Sequence, residues 1–168
     1  KVKKEKNKLD FLPPSSFNLE HFKNEFLEEK GNKDKIMEKF WEKFDPKGYS
    51  LWWMEYKNLN TEGKKLFRMK NSKNFFLERI DEEFRNYSFG IHGVYGNEGD
   101  YKVRGVWLWR GTEIPKEIQE NDYFKYMTIK NLKSDNNNDK ELIKQYWTKI
   151  NKKNRVEGRE LADFTYYY

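Results

Sequence analysis

The sequence has no cysteine, and it has no long apolar run. The absence of cysteine excludes a disulfide framework and a thiolate metal site, and it fits a reducing compartment such as the cytoplasm. A membrane-spanning helix needs about 18 or more consecutive apolar residues. No such run is found, and no apolar signal-peptide core is present. We therefore expect a cytoplasmic protein without stable membrane insertion.

Residues that carry catalytic chemistry are also scarce. Histidine occurs only at His21 and His92, and neither belongs to a metalloprotease or facial-triad motif. Carboxylates are scattered over predicted helix faces and termini, where charge is normally solvated. Glycines at positions 90, 93, 96 and 99 match no phosphate-binding loop. Their GxxG spacing resembles an RNA-clamping loop, but on a predicted strand they are better explained as turn and close-packing residues. We expect no catalytic residue, no cofactor and no metal.

Aromatic residues are abundant instead. They make up 18% of the 168 residues, beside 37% charged residues and a mean hydropathy of −1.18. Disordered chains are poor in aromatics, so the composition predicts a globular domain with an aromatic core and a heavily solvated surface. The net charge is +6, with 34 basic and 28 acidic residues. A basic chain attracts nucleic acid, acidic proteins and anionic lipid alike.

Periodicity divides the chain into a short leader and one domain. Residues 1–9 are basic and lack an apolar period, which predicts the end of a basic linker; a nucleic-acid-binding arm is the alternative. We expect a single domain over residues 10–168. Apolar residues at three- and four-residue spacing predict four helices: from Ser16 or Asn18 to about Glu29, from Asp34 to Phe44, within 58–84 on Phe76, Ile80 and Phe84, and from Ser134 or Asp135 to about Ile150.

Alternating apolar residues predict four strands, over 49–57, 86–96, 101–111 and 123–132. The second and third are expected to form a hairpin. The segment 112–122 is short and either irregular or helical, and no element is assigned to 151–168. The order predicts an α+β protein with a ferredoxin-like antiparallel sheet, β-α-β-β-x-β. Extra helices at both ends of the chain would cover the face that such a sheet leaves open.

Aromatic and basic residues on two of these strands are the candidates for partner binding. Sheet folds of this plan stack RNA bases on strand aromatics, although no RNP1-like string is present. Rings at strand spacing more often form the core, so we expect one of the adjacent Trp52 and Trp53 rings in each layer. One or two rings would edge a groove near Tyr56, Trp109 and Arg110. The full set of candidate partner-binding residues is Trp52, Tyr56, Arg104, Trp107, Trp109 and Arg110.

Several longer motifs resemble one known family. They are 12-LPPSSFNLEHFKNEF-26, 40-FWEKFDPKGYSLWWMEY-56, 79-RIDEEFRN-86, 105-GVWLWRG-111 and 126-YMTIKNL-132. In this order and spacing they are similar to the C-terminal domain of the gamma subunit of translation elongation factor 1. The resemblance covers about residue 10 to the end. The glycine-rich stretch 90–99 and the closing 166-YYY-168 depart from the family pattern.

The resemblance implies an α+β domain with an antiparallel sheet, preceded by a glutathione-transferase-like domain and a basic linker. It also implies a non-catalytic scaffold of the complex that recharges elongation factor 1 alpha with GTP, with nucleotide exchange performed by other subunits. The implied partners are those other subunits, with an aminoacyl-tRNA synthetase or RNA as further partners. The alternative hypothesis is an RNA- or tRNA-binding domain that uses sheet-edge aromatics and basic residues.

Overall fold

The computed structural model describes residues 7–59, 61–151 and 154–168. Its α-helices are Leu19–Glu28 (α1), Asp34–Lys43 (α2), Leu66–Glu78 (α3), Lys116–Gln119 (α4) and Asn137–Thr148 (α5). Its strands are Tyr49–Tyr56 (β1), Ser88–Asn97 (β2), Asp100–Arg110 (β3), Met127–Leu132 (β4), Arg155–Val156 (β5) and Arg159–Tyr167 (β6). Short 3-10 helices cover Lys8–Phe11, Glu62–Lys64, Glu82–Tyr87 and Phe124–Tyr126.

The six strands form one antiparallel sheet in the order β4-β1-β3-β2-β6-β5. The predicted hairpin of β2 and β3 is confirmed, and its two-residue turn holds Gly99 at φ +90°. Gly90 has a different role, because a Cβ there would lie 2.5 Å from the Trp107 ring. The fold is therefore α+β with an antiparallel sheet, as expected.

Helices α1, α2 and α5 cover one face of the sheet. Phe22 of α1 contacts Phe40 of α2, Phe89 of β2 and Trp147 of α5, with ring centroids 4.9–5.8 Å apart. Aromatic pairs at such distances add to the stabilisation from burial. The two terminal helical regions therefore cover a sheet face, as the sequence predicted.

Helices α3 and α4 cover the opposite face. Trp52 stacks on Trp109 at 5.3 Å between centroids, and Phe76 of α3 packs in the same cluster. Trp53 points the other way and packs against the layer formed by α1, α2 and α5. The prediction that the adjacent tryptophans serve opposite layers is confirmed, and the sheet is the middle layer of three.

Two boundary predictions were wrong. Phe76, Ile80 and Phe84 are all buried, but α3 ends at Glu78, and Phe84 lies in the 3-10 helix that Asp81 caps by accepting a hydrogen bond from the Glu83 amide. Four-residue spacing persisted across a helix break because both segments pack on the same face. Similarly, the fourth strand begins at Met127, since the residues before it form a 3-10 turn.

The C-terminal tail forms a strand that the sequence did not predict. Strand β6 pairs with β2, placing Tyr166 opposite Ile91 and Tyr167 opposite Gly90. Tyr167 is buried and Tyr168 is exposed, so Tyr166 and Tyr167 are part of the sheet and the last tyrosine lies beyond it. Glu157 and Gly158 have positive φ angles, as the turn of a two-residue hairpin requires.

The N-terminal leader is described only in part. Residues 1–6 of the predicted linker lie outside the described residues. Lys8 and Leu9 belong to a 3-10 helix, and Leu9 packs against the cluster beneath α3. The Asn7 amide donates to Glu117 Oε2 at 3.0 Å. Among the described residues, contact with the body of the fold starts at Asn7.

Candidate functional site

The four predicted partner-binding rings are buried. Trp107 and Trp109 have no exposed surface, and Trp52 and Tyr56 are 8% and 4% exposed. The expectation of an exposed groove lined by these rings is therefore corrected. The physical reason is the third layer, because α3 and α4 cover the sheet face on which the rings lie. Their contribution to partner binding stays a prediction.

The two predicted arginines are tied to the fold, Arg104 in the middle of β3 and Arg110 at its end. The Arg104 Nε donates to Glu55 Oε2 at 2.6 Å, and its side chain is mostly buried. The Arg110 Nη1 donates to the Gly48 carbonyl at 2.6 Å, and its Nη2 donates to the Pro13 carbonyl. Arg110 therefore fixes the segment that leads into α1, and neither guanidinium is left unpaired for a ligand.

His92 is a buried neutral side chain beneath α3. The Trp107 indole donates to its Nδ1 at 3.1 Å, and Nε2 has no hydrogen-bond partner among the described residues. Burial, reinforced by the positive charge of Lys73, lowers the pKa of His92 to about 3. The ring packs against Phe76 at 5.0 Å between centroids. This arrangement matches the predicted structural role of the histidine.

Lys73 of α3 reaches β6 through the same region. Its ammonium group donates to Asp163 Oδ2, and also to Thr165 Oγ1 at 2.8 Å. Lys73 is buried, whereas a quarter of the Asp163 side chain is exposed. The pair joins the helix to the C-terminal strand. In the described parts of the chain, no group of three or more metal-ligating side chains is found, and no helix is long and apolar enough to cross a membrane.

A groove lies between α1 and α2. Its volume is about 560 Å³. The Asn18 side chain caps α1 by accepting from the His21 amide at 3.0 Å. At the other end of α1, Lys33 donates to the Phe26 carbonyl at 2.5 Å and also to that of Glu29. The Lys33 contacts join the start of α2 to the end of α1.

The floor of the groove is aromatic. Phe17 lies 5.6 Å from Phe40 and 6.0 Å from Phe22, measured between ring centroids. Ile36 and Phe44 complete the apolar lining. An apolar floor with a few polar groups on the rim is the usual construction of a binding cleft.

The rim of the groove carries charges of both signs. Its charged and titratable side chains are His21, Glu25, Lys39, Glu42, Lys43 and Asp45. His21 Nε2 lies 2.6 Å from Glu25 Oε1. The Ser15 hydroxyl donates to Asp45 Oδ2 at 2.7 Å and lowers the pKa of that carboxyl. A rim with three carboxylates suits a protein ligand better than a polyphosphate, because like charges across an interface repel.

This groove was not predicted from the sequence, although α1, α2 and most of their apolar residues were. Lys33 joins the two helices by donating to the Phe26 and Glu29 carbonyls, and apolar periodicity carries no signal of such a contact. The apolar stripe of α2 is wider than packing against one neighbouring element requires. Its width was the feature of the sequence that could have indicated the groove.

Comparison with known proteins identifies a family. Residues 4–113 match the profile described as "Elongation factor 1 gamma, conserved domain". The chain is 44% identical over 121 residues to "Probable elongation factor 1-gamma 2" of Arabidopsis thaliana, covering 71% of this chain and 29% of that protein. It is 32% identical over 157 residues to "Elongation factor 1-gamma" of Artemia salina, covering 90% of this chain and 35% of that protein.

The chain thus spans about a third of the length of the curated relatives it matches. The family profile covers well over half of the chain, and the groove residues and strands β1 to β3 lie within the matched region. The resemblance inferred from the sequence motifs is therefore confirmed, and the chain belongs to the elongation factor 1 gamma family through its conserved domain.

Proposed function

We propose that this chain is a non-catalytic scaffold domain of the cytoplasmic elongation factor 1 exchange complex, which supports aminoacyl-tRNA delivery in protein synthesis. Residues 10–168 form the domain, and residues 1–9 end a linker. Its partners are other subunits of the complex, with an aminoacyl-tRNA synthetase as a further candidate. The observation that carries the proposal is the groove between α1 and α2, within the region that places the chain in the family.

The occupant of the groove is a segment of a partner subunit with an apolar anchor flanked by charges. The aromatic floor accepts the anchor, and burial of apolar surface there supplies the affinity. The Lys39 and Lys43 side chains on one helix and the Glu25 carboxylate on the other favour a segment whose charges alternate in sign. Three rim carboxylates disfavour a nucleic acid in this site.

The scaffold rests on a ferredoxin-like core, which is part of the same proposal. Supporting it, strands β4, β1, β3 and β2 are adjacent in this order and all antiparallel, as a split β-α-β arrangement requires. Helix α3 connects β1 to β2, and the short α4 lies between β3 and β4. Strands β6 and β5 extend this core beyond β2.

The test is binding of purified elongation factor 1 subunits to a groove variant and a matched control. Lys39→Glu with Lys43→Glu reverses two charges on the rim, and we expect affinity for the bound subunit to fall about tenfold or more. Lys35→Glu with Lys47→Glu reverses two exposed charges outside the groove and should change affinity less than about twofold.

Isothermal titration calorimetry provides the affinities, and circular dichroism melts establish that both variants are folded. If no subunit binds the unaltered chain, or if both variants weaken binding equally, the groove is not the docking site.

A further inference from the structure

Helix α3 presents two aromatic rings to solvent, on the side opposite its buried face. Met69, Lys73, Phe76 and Leu77 are buried against the sheet. Phe67 and Phe75 face outward and are 60% and 45% exposed. Apolar surface grouped on an otherwise polar helix face is a feature of interaction sites.

The two rings are in register along the helix. Phe67, Asn71 and Phe75 follow one another at four-residue steps, so they share one face. Phe67 and Phe75 are eight residues apart, which corresponds to about 12 Å along the axis. This separation suits two stacking positions on one extended strand rather than one small aromatic ligand.

Positive charge surrounds the rings. The stretch 64–75 contains five cations and no acid. Lys73 is buried, whereas the other four are exposed: Lys64, Lys65, Arg68 and Lys70. The ion pairs found among the described residues involve other cations. The nearest acid in sequence, Glu62, accepts a hydrogen bond from Tyr56 at 3.1 Å, and Glu78 is the one acid within α3.

The aromatic surface continues past the end of the helix. The Arg79 guanidinium lies 5.4 Å from the Phe75 ring centroid and 5.7 Å from that of Tyr123. Arginine planes, like aromatic rings, stack on nucleobases. A row of ring, ring and guanidinium therefore lies along one side of the domain. Exposed cations lie near its start, and Asp122 Oδ2 lies 4.0 Å from the Arg79 Nη1 at its end.

We propose that this face, defined by Phe67, Phe75, Arg79 and the four exposed cations of residues 64–70, binds single-stranded RNA. Bases stack on the two phenylalanine rings, and the cations contact phosphates, as in other single-strand binders. Asn71 lies between the two rings along the helix face and Asn74 precedes Phe75, and side-chain amides can bond to base edges and 2′-hydroxyls. A membrane surface fits less well, because α3 has its broad apolar side buried against the sheet and has only two rings to insert.

The experiment is a fluorescence-anisotropy titration of the chain with a labelled 12-nucleotide oligouridylate, in two salt concentrations. If four phosphate contacts form, the affinity should fall about 50-fold between 50 and 200 mM salt. Phe67→Leu with Phe75→Leu keeps apolar bulk but removes both stacking faces, and we expect the affinity to fall about tenfold for each ring. Phe67→Trp with Phe75→Trp keeps the stacking faces and should retain binding.

A charge-matched control distinguishes the face from general attraction. Replacing Lys64, Lys65, Arg68 and Lys70 by glutamine should abolish most of the salt dependence. Replacing four exposed lysines elsewhere by glutamine removes equal charge: Lys30, Lys35, Lys47 and Lys149. This second variant should bind RNA within a few-fold of the unaltered chain.

Several results would overturn the proposal. These are no RNA binding at 50 mM salt, equal loss in both charge variants, or unchanged binding in a folded Leu/Leu variant. Tighter binding of the matching DNA strand would overturn the assignment to RNA. Binding to vesicles containing anionic lipid, without binding to RNA, would assign the face to a membrane surface instead.

Discussion

The groove between α1 and α2 and the outer face of α3 both combine phenylalanines with charged residues. They differ in the exposure of the rings and in the sign of the surrounding charge. In the groove, phenylalanine rings lie at the floor, where Phe17, Phe22 and Phe40 are buried. On α3, Phe67 and Phe75 project into solvent. The groove rim mixes both signs of charge, whereas residues 64–75 carry positive charge alone.

The difference shows that ring position relative to the sheet, rather than aromatic content, decides what a surface can bind. Recessed rings below a mixed rim suit an inserted side chain of a protein partner. Protruding rings beside exposed cations suit the binding of a flat nucleobase with a phosphate on either side. The predictions below compare residues of one type in different surroundings.

The largest effect is expected from a buried ring compared with an exposed one. Trp109→Ala removes a ring that stacks on Trp52 and whose indole donates to the Glu113 carbonyl at 3.1 Å. We expect the free energy of unfolding to fall by about 3–5 kcal/mol. Phe67→Ala should change it by less than about 1 kcal/mol. Urea unfolding checks both, and a Trp109→Ala protein of normal stability that no longer binds RNA would contradict the assignment of this ring to the core.

Two lysines on α3 offer the next comparison. Lys73→Gln leaves the partly buried Asp163 without its cation, and we expect the free energy of unfolding to fall by about 2–4 kcal/mol. Lys70→Gln alters an exposed charge and should change stability by less than about 0.5 kcal/mol, while weakening RNA binding. Chemical denaturation of both variants tests this, and equal stability losses would mean that Lys70 also supports the fold.

His92 should give a smaller effect, which appears as a pH dependence of the free energy of unfolding. Burial lowers the pKa of His92 to about 3, whereas a histidine in the unfolded chain titrates near about 6.5. The stability associated with neutral His92 is fully present above about pH 6.5 and is lost as the pH falls toward 3. Between pH 7 and pH 5 the loss should be about 2 kcal/mol.

Comparison of variants isolates this contribution from the carboxylates. We expect His92→Leu to have a shallower stability decline than the unaltered chain over this pH range, measured by urea unfolding. Identical pH profiles for the His92→Leu and unaltered proteins would show that His92 is not held neutral by the fold.

The local periodicity of apolar residues was sufficient to predict much of the fold. Alternation in 49-YSLWWMEYK-57 predicted β1 and assigned Trp52 and Trp53 to opposite layers. Strand β6 was missed because Arg159, Glu160 and Asp163 interrupt its apolar pattern. Its pairing with β2 is a contact between residues distant in sequence, which a local pattern does not contain. The Glu157–Gly158 turn was the usable local signal.

The candidate site was less predictable for the same reason. Sequence identified aromatic and basic residues as the relevant types but assigned the exposed role to strand rings such as Trp109, which α3 covers. Phe75 and Phe76 are adjacent and chemically identical, yet only Phe76 is buried. Projection on a helical wheel separates them, because Phe75 lies away from Met69 and Leu77. That separation can be recognised only when the bounds of α3 are known. The predicted helix ran to Phe84, whereas α3 ends at Glu78.

The most direct measurement is a crossed titration of two variants against two ligands. The Phe67→Leu/Phe75→Leu protein and the Lys39→Glu/Lys43→Glu protein are each titrated with the 12-nucleotide RNA and with the elongation factor 1 subunit that the unaltered chain binds. We predict that the first loses RNA and keeps the subunit, and that the second loses the subunit and keeps RNA. If either folded variant loses both ligands, the two surfaces are not independent and the account is contradicted.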